Sequence, residues 1–228
     1  MSETIPILSG VVGSVAYGLA TEESDVDRLG IFAAPTVSLL GLHAPSPTQV
    51  WTNPDVTYHE AGKFCRLALG GNPTVMELLW LERYDEQSHL GLELVEIRKA
   101  FLSARRVRDA YLGYATQQFH KLELRGDGSF SADTRKRTAK HARHLLRLCY
   151  QGYDLYRTGE LSIRLNDGDV HDLREFGDGV AAGDVERARA TVNEYKYAFD
   201  NSRTVLPERP DEDTVERWLL RVRRAFYE

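Results

Sequence analysis

Apolar residues occur in short runs over roughly the first sixty positions and at three- or four-residue intervals almost to the C-terminus after that, a change from strand-like to helix-like spacing. Ile5 to Val12 is an apolar run that ends on glycine, which predicts a strand feeding a tight turn. A short helix over Val15 to Leu19 and a polar loop over Thr21 to Ser24 follow. The segment VDRLGIFAAP, opened by Asp25, Val26 and Asp27, reads as the next strand, and a β-rich run at Val56, Thr57 and Tyr58 follows the Asn53-Pro54 turn signal. Helical spacing holds from Glu60 to Leu69, breaks at G-G-N-P, and resumes from Thr74 to Leu81. Amphipathic helices are also read over Asp184 to Ser202 and Asp213 to Tyr227. Two or three strands followed by helices predict an α+β fold: a small mixed sheet flanked by helices, then a helical C-terminal region, divided as residues 1–101 and 102–228.

Composition narrows this picture only at its edges. The 228 residues carry a formal charge of −5, which argues against a generally basic nucleic-acid coat and leaves local charge distribution to decide partners. The two cysteines, Cys65 and Cys149, sit among leucines in helical stretches and read as buried reduced thiols, not as a disulfide or a zinc site. The N-terminus lacks a basic region ahead of a long apolar run, and no stretch approaches the ~18 apolar residues of a membrane span. A cytoplasmic protein is expected. Loop-like breaks fall at Ala44 to Pro47, Gly70 to Pro73, Gly126 to Ser131 and Pro207 to Asp213.

Candidate chemistry concentrates between Gly13 and Asp27, GSVAYGLATEESDVD. Glycine lets the backbone approach a bulky anion, and the Ser14 hydroxyl and the N–H groups opening the short helix are donors suited to a phosphate. Asp25 and Asp27, read as the start of a strand, project from one face. Two carboxylates on one face repel, and a hard divalent cation that accepts oxygen ligands and bridges to phosphates offsets that repulsion. The pattern predicts magnesium with a nucleotide. A lone D-x-D pair reads more plainly as a solvent-edge feature; the Gly-Ser turn set ahead of it, between two apolar strands, favours the site.

The Gly-Ser turn followed by D-x-D resembles the signature of the DNA polymerase beta-like nucleotidyltransferase superfamily. Three blocks in order, GSVAYGLATEESDVDRLGIFAAP, DVTYHEAGKFCRLALGGNPTVMELLWL and KHARHLLRLCYQGYDLYRTGEL, resemble the narrower family of RNA-ligase-associated, or RNA-repair, nucleotidyltransferases, stand-alone enzymes of bacteria and phages. The likeness spans roughly the first three quarters of the chain. It implies transfer of a nucleoside monophosphate from a nucleoside triphosphate to an acceptor hydroxyl, on an RNA or tRNA end, with release of pyrophosphate. The alternatives are nucleotidylation of a protein or small molecule, and a non-catalytic nucleotide-binding module.

The resemblance also implies a third carboxylate on a neighbouring strand, so that a triad holds two Mg2+ or Mn2+ ions. Asp55 matches the family's acidic position and completes the set Asp25, Asp27 and Asp55. Glu60 is the runner-up and is otherwise read as a first-turn acid favouring the helix dipole. Gly13, Ser14 and Ser24 are assigned to the nucleotide. In the family's K-F…N-P…E block, Lys63 reads equally as a phosphate contact or a snorkelling surface lysine. Glu77 is read first as a solvated helix position and second as support for the Asn72-Pro73 turn or the site wall.

A basic helical stripe runs through RKRTAKHARHLLR, residues 135–147, with six Lys or Arg, two histidines and no acid. Lys136, Lys140, Arg143 or His144, and Arg147 recur at helical intervals, so one face is expected to present donors to a triphosphate or an RNA backbone. The position matches the family's K-H-x-x-H-x-x-R block, which favours a nucleotide-binding role for Lys140, His141, His144 and Arg147 as a group. The neighbouring leucines make His144 also readable as a satisfied core histidine. Tyr111, Tyr114, Phe119, Tyr150, Tyr153 and Tyr156 are read mostly as packing. Tyr17, inside the phosphate-turn block, is a nucleotide contact or a plug at the strand-helix junction.

Overall fold

The computed structural model describes residues 5–22, 24–52, 54–123 and 132–228; the break read at Gly126 to Ser131 and Asn53 of the turn signal lie outside the described residues. The fold is α+β, as its residue pattern predicts. A five-stranded sheet has the order β3-β4-β2-β1-β5, with β1 at Ile5–Val12, β2 at Asp27–Ala33, β3 at Thr48–Thr52, β4 at Asp55–Glu60 and β5 at Glu86–Gln87. Strand β2 runs parallel to β4, and the other pairings are antiparallel, which makes the sheet mixed.

The short helix after β1 is α1, Gly13–Tyr17. It begins two residues before the expected Val15 because Gly13 takes a positive φ of 70° and turns the chain directly off the strand. It stops at Gly18, a left-handed cap at φ 80°. This early turn also shortens the next strand. Strand β1 ends with Val12 paired to Asp27, so residues before Asp27 find no ladder partner, and Asp25 and Val26 lie ahead of β2 instead of within it. The argument that both aspartates share a strand face therefore holds for Asp27 alone.

After β2 come α2, Thr36–Leu40, then α3, Ala61–Leu69, α4, Pro73–Leu79, α5, His89–Glu96, and a 3-10 turn at Arg98–Phe101. The start of α4 is written in its sequence: the Asn72 side chain accepts from the Thr74 N–H, and Pro73 takes the first turn, where its missing donor costs nothing. Leu8, Ile31, Phe64, Met76, Leu78, Leu79 and Leu94 form the core beneath these helices.

The chain divides into two compact units, one running to Leu102 and taking in Arg209–Glu228, the other Ser103–Glu208. The expected division assigned everything after residue 101 to the helical region, whereas the structure places the last helix, α10 at Glu212–Ala225, with the sheet. The reason is its apolar stripe. Val215, Trp218 and Val222 are buried, the Trp218 indole donates to the Leu90 carbonyl at 2.9 Å, and Arg223 pairs with Glu60. The second unit consists of α6, Ala104–Glu123, α7, Ala132–Thr158, α8, Asp167–Ala181, and α9, Val185–Asn201. Tyr111, Phe119 and Tyr156 are buried in it as the aromatic spacing suggests, while Tyr150 is 38% exposed. Both cysteines are free and buried, and burial pushes each thiol up to about 12.

Candidate active site

Three chain segments meet at one edge of the sheet: the end of β1, the head of β2 and the head of β4. The pairing of Val12 with Asp27 sets the Gly13-Ser14 turn beside the Asp27 carboxylate. The approach is close enough that a Cβ added at Gly13 would meet Asp27 Oδ2 at 2.6 Å. Glycine is thus required here for space as well as for its positive φ. In the parallel pair, Arg28 lies opposite Val56, so Asp27 and Asp55, one step earlier on each strand, stand level at about the 5 Å spacing of neighbouring strands. Leu29 and Thr57, then Ile31 and His59, continue the same alternation, which puts Asp27 and Asp55 on one face. Asp55 and Asp25 are exposed and Asp27 is half-buried. Ser24 closes the turn before them, its hydroxyl accepting from the Thr21 N–H at 2.9 Å.

The remaining residues expected at this site lie elsewhere. Glu60 ends β4, at the opposite end from Asp55, where it is 4% exposed, accepts from the Gly62 N–H at 2.8 Å as the cap of α3, and receives Arg223. It stands at the N-terminus of α3, where an acid favours the helix dipole, but as the buried cap of that helix. Lys63 is half-buried and donates to the Thr48 hydroxyl, which also meets His59 Nδ1 at 3.1 Å. Since Thr48 pairs with His59 and Thr52 with Asp55, this anchor is four residues along the strand from Asp55, about 13 Å. The structure therefore does not bring Lys63 to the aspartates. Burial, and then Lys63, hold the His59 imidazole below its ordinary range.

Tyr17 and Glu77 answer a question the residue pattern left open. Tyr17 is 7% exposed and its hydroxyl donates to Glu77 Oε1, so the ring plugs the junction of strand and helix. Glu77 is 4% exposed, which overturns its reading as a solvated helix position. A glutamate has no apolar signature that reveals burial in sequence; the signal lay in its neighbours, since Val75, Met76, Leu78 and Leu79 are all buried around it and leave a short helix little solvent face.

Lys140, His141, His144 and Arg147 belong to the second unit. The expected solvent-facing stripe is not one surface: Lys136 and Lys140 are exposed, His141 and His144 partly covered, and Arg147 is 2% exposed. The leucine-rich side of α7 turns Arg147 inward, where Nη1 donates to Gln151 Oε1 at 2.5 Å and Nη2 contacts His144 Nδ1 at 2.9 Å.

The family described as the RNA repair pathway DNA polymerase beta family matches residues 3–167. The chain belongs to that family. Membership in the RNA repair polymerase beta family covers the whole strand-edge site and reaches through α7 to the head of α8, so both polar groupings lie within the matched region. No curated protein matches the chain. Among the described residues, no group of three or more His, Cys, Asp or Glu side chains is drawn together as a metal-holding cluster, and no helix is long and apolar enough to cross a membrane.

Proposed function

We propose that this chain is a cytoplasmic, metal-dependent nucleotidyltransferase that moves a nucleoside monophosphate from a nucleoside triphosphate to a hydroxyl on an RNA or tRNA end. The observation that carries the reading is the convergence of the Gly13-Ser14 turn, Asp27 and Asp55 at one sheet edge in a member of an RNA-repair family of DNA polymerase beta type. The donor chemistry fits Mg2+ or Mn2+: carboxylate oxygens are the ligands hard divalent cations take, and the bare Cα of Gly13 leaves the Asp27 carboxylate a cradle that any side chain would fill.

Asp27 and Asp55, level on neighbouring strands, with Asp25 from the segment ahead of β2, would hold two such ions, metal binding drawing the three together. When bound, the metals offset the negative charge that builds on the phosphoryl oxygens. The chain's own groups then divide the work. Backbone N–H groups and the Ser14 hydroxyl at the head of α1 receive phosphate oxygens, and Asp55 takes the proton of the acceptor hydroxyl as its oxygen bonds to the α-phosphorus. The bond from that phosphorus to the bridging oxygen breaks, and pyrophosphate leaves. The Tyr17–Glu77 bond holds α1, and hence the Gly13-Ser14 turn, against α4.

A protein or small-molecule acceptor is the second reading, and the net charge of −5 favours it over a polynucleotide. Incubation with each unlabelled nucleoside triphosphate and Mg2+, with pyrophosphate release measured in the presence of cellular RNA, cell protein or neither, separates them. Release stimulated by RNA is expected. Stimulation by protein alone moves the acceptor to protein, and no release under any condition overturns the proposal.

A further inference from the structure

We propose that the α6–α7 seam of the second unit is a phosphate-binding site, in which the Nε2–H of His144 and the side chains of Lys140 and Lys121 receive the anion while buried Arg147 fixes the His144 ring from behind and His141, held by Gln118, braces the seam. The site deepens the proposed nucleotidyl transfer and rests on that reading for the source of its phosphate, a triphosphate tail or an RNA backbone.

Its frame is hydrogen-bonded and its proton positions follow from chemistry. On α7, Lys140, His141, His144 and Arg147 occupy one side of the helix over eight residues, about 10 Å of rise. Across the seam on α6, Gln118 is 7% exposed and its Oε1 lies 2.8 Å from His141 Nδ1; an amide oxygen only accepts, so that nitrogen donates. A guanidinium only donates, so the 2.9 Å contact from Arg147 Nη2 makes His144 Nδ1 an acceptor and puts the imidazole proton on Nε2. Among the described residues no acceptor takes that Nε2–H. Arg147 is anchored in turn by Gln151, whose amide donates to the Ser162 carbonyl at 2.8 Å.

The electrostatics point the same way. Burial first, then Arg147, His141, Lys121 and Lys140, push the His144 imidazole down to about 3, and each of those four side chains is basic. His144 is thus a neutral N–H donor at physiological pH, set among cations. The sequence from Thr134 to Tyr153 contains no acid, and the neighbouring Arg143 faces Asp178 and Arg174 instead. Several positive donors round one oriented N–H suit an anion with several acceptor oxygens, and charge-assisted bonds of this kind are the strong ones.

The test uses the full chain carrying Asp25→Asn, Asp27→Asn and Asp55→Asn, in EDTA, so that the sheet-edge site contributes no metal-dependent binding. Inorganic tripolyphosphate and a single-stranded oligoribonucleotide without a terminal phosphate are titrated separately by calorimetry, with the imidazole N–H resonances followed by nitrogen-15 NMR. At least one probe is expected to bind, to move the His144 Nε2–H resonance, and to weaken about tenfold or more in Lys121→Gln/Lys140→Gln, two exposed positions whose exchange leaves the fold intact. Tripolyphosphate alone identifies a triphosphate site, and the oligoribonucleotide alone an RNA-backbone site; both support the proposal. An unmoved His144 resonance at saturating concentrations of both probes, or binding indifferent to the lysine pair, overturns it. Nucleotidyl transfer by the chain with its aspartates intact is measured separately, so its failure is distinguishable from this one.

Discussion

The two units treat their polar residues in opposite ways. At the sheet edge, Asp25 and Asp55 are exposed and Asp27 half-buried, acids collected by strand register and set against a glycine. In the helical unit the polar groups are drawn inward: Arg147, Gln151 and Gln118 are nearly inaccessible, Arg147 bonded to Gln151 and His144, and Gln118 to His141. Like charges gathered at a surface stay stable because water screens them, and they remain available to an ion. Buried polar groups must satisfy each other or incur a large desolvation cost, so the helical cluster is fixed before any ligand arrives. Removing a member should cost activity in the first place and stability in the second.

That contrast is broken most severely by Asp55→Asn. Loss of several kcal/mol of charge stabilisation corresponds to a drop of about a thousandfold or more in transfer, while the thermal midpoint stays put or rises as repulsion falls. Lys63→Ala, whose anchor lies at the far end of β4, is expected to lower kcat/KM less than about tenfold, near the 1.4 kcal/mol that a decade represents. Equal losses in the two variants would remove the distinction between the strand heads and the strand ends.

The buried Glu60–Arg223 pair, like Glu77 beside Tyr17, departs from the rule of exposed acids in the sheet unit, and it behaves like the helical cluster. Breaking it from one side by Arg223→Met should cost about 3 kcal/mol in urea unfolding, because Glu60 is left buried and uncompensated. Adding Glu60→Gln should recover part of that loss. If Arg223→Met unfolds at the same urea concentration as the parent, α10 is not tied to the sheet as described.

His144 gives the contrast a pH signature. Above its ordinary 6.5 both folded and unfolded forms are neutral; below it the unfolded chain takes up a proton that the folded imidazole, held at about 3, refuses. Its contribution to stability is therefore complete above about pH 6.5 and is lost progressively as pH falls toward 3. Unfolding free energy measured between pH 7 and 5 should fall, and His144→Gln should flatten that slope. The smallest effect expected is Tyr17→Phe, about 1 kcal/mol for the lost bond to buried Glu77, with kcat/KM reduced through the Gly13-Ser14 turn and restored by no change in metal concentration.

Much of this was legible in the residue order. The apolar run to Val12, the glycine turn, the D-x-D and the break between α3 and α4 are local signals, and local physics produced them. The polar edge strand Thr48–Thr52 was not legible, since TQVWT lacks alternation strong enough to stand out from a loop. Nor was the place of α10: its apolar stripe predicts burial but not which surface receives it. The depth of Arg147 and Glu77 was hidden for the same reason, because a charged residue is read as exposed until its neighbours on other elements are known. At the aspartates, the early turn at Gly13 shortened β2, and only the β1 partner could reveal that.

The most direct test of the strand-head site is transfer of label from an α-labelled ribonucleoside triphosphate in the presence of Mg2+ and RNA, compared between the parent chain and the Asp25→Asn/Asp27→Asn variant. Label on RNA with the parent and none with the equally folded variant is the predicted result. Equal labelling by the two proteins would contradict the assignment of the carboxylates at the strand heads.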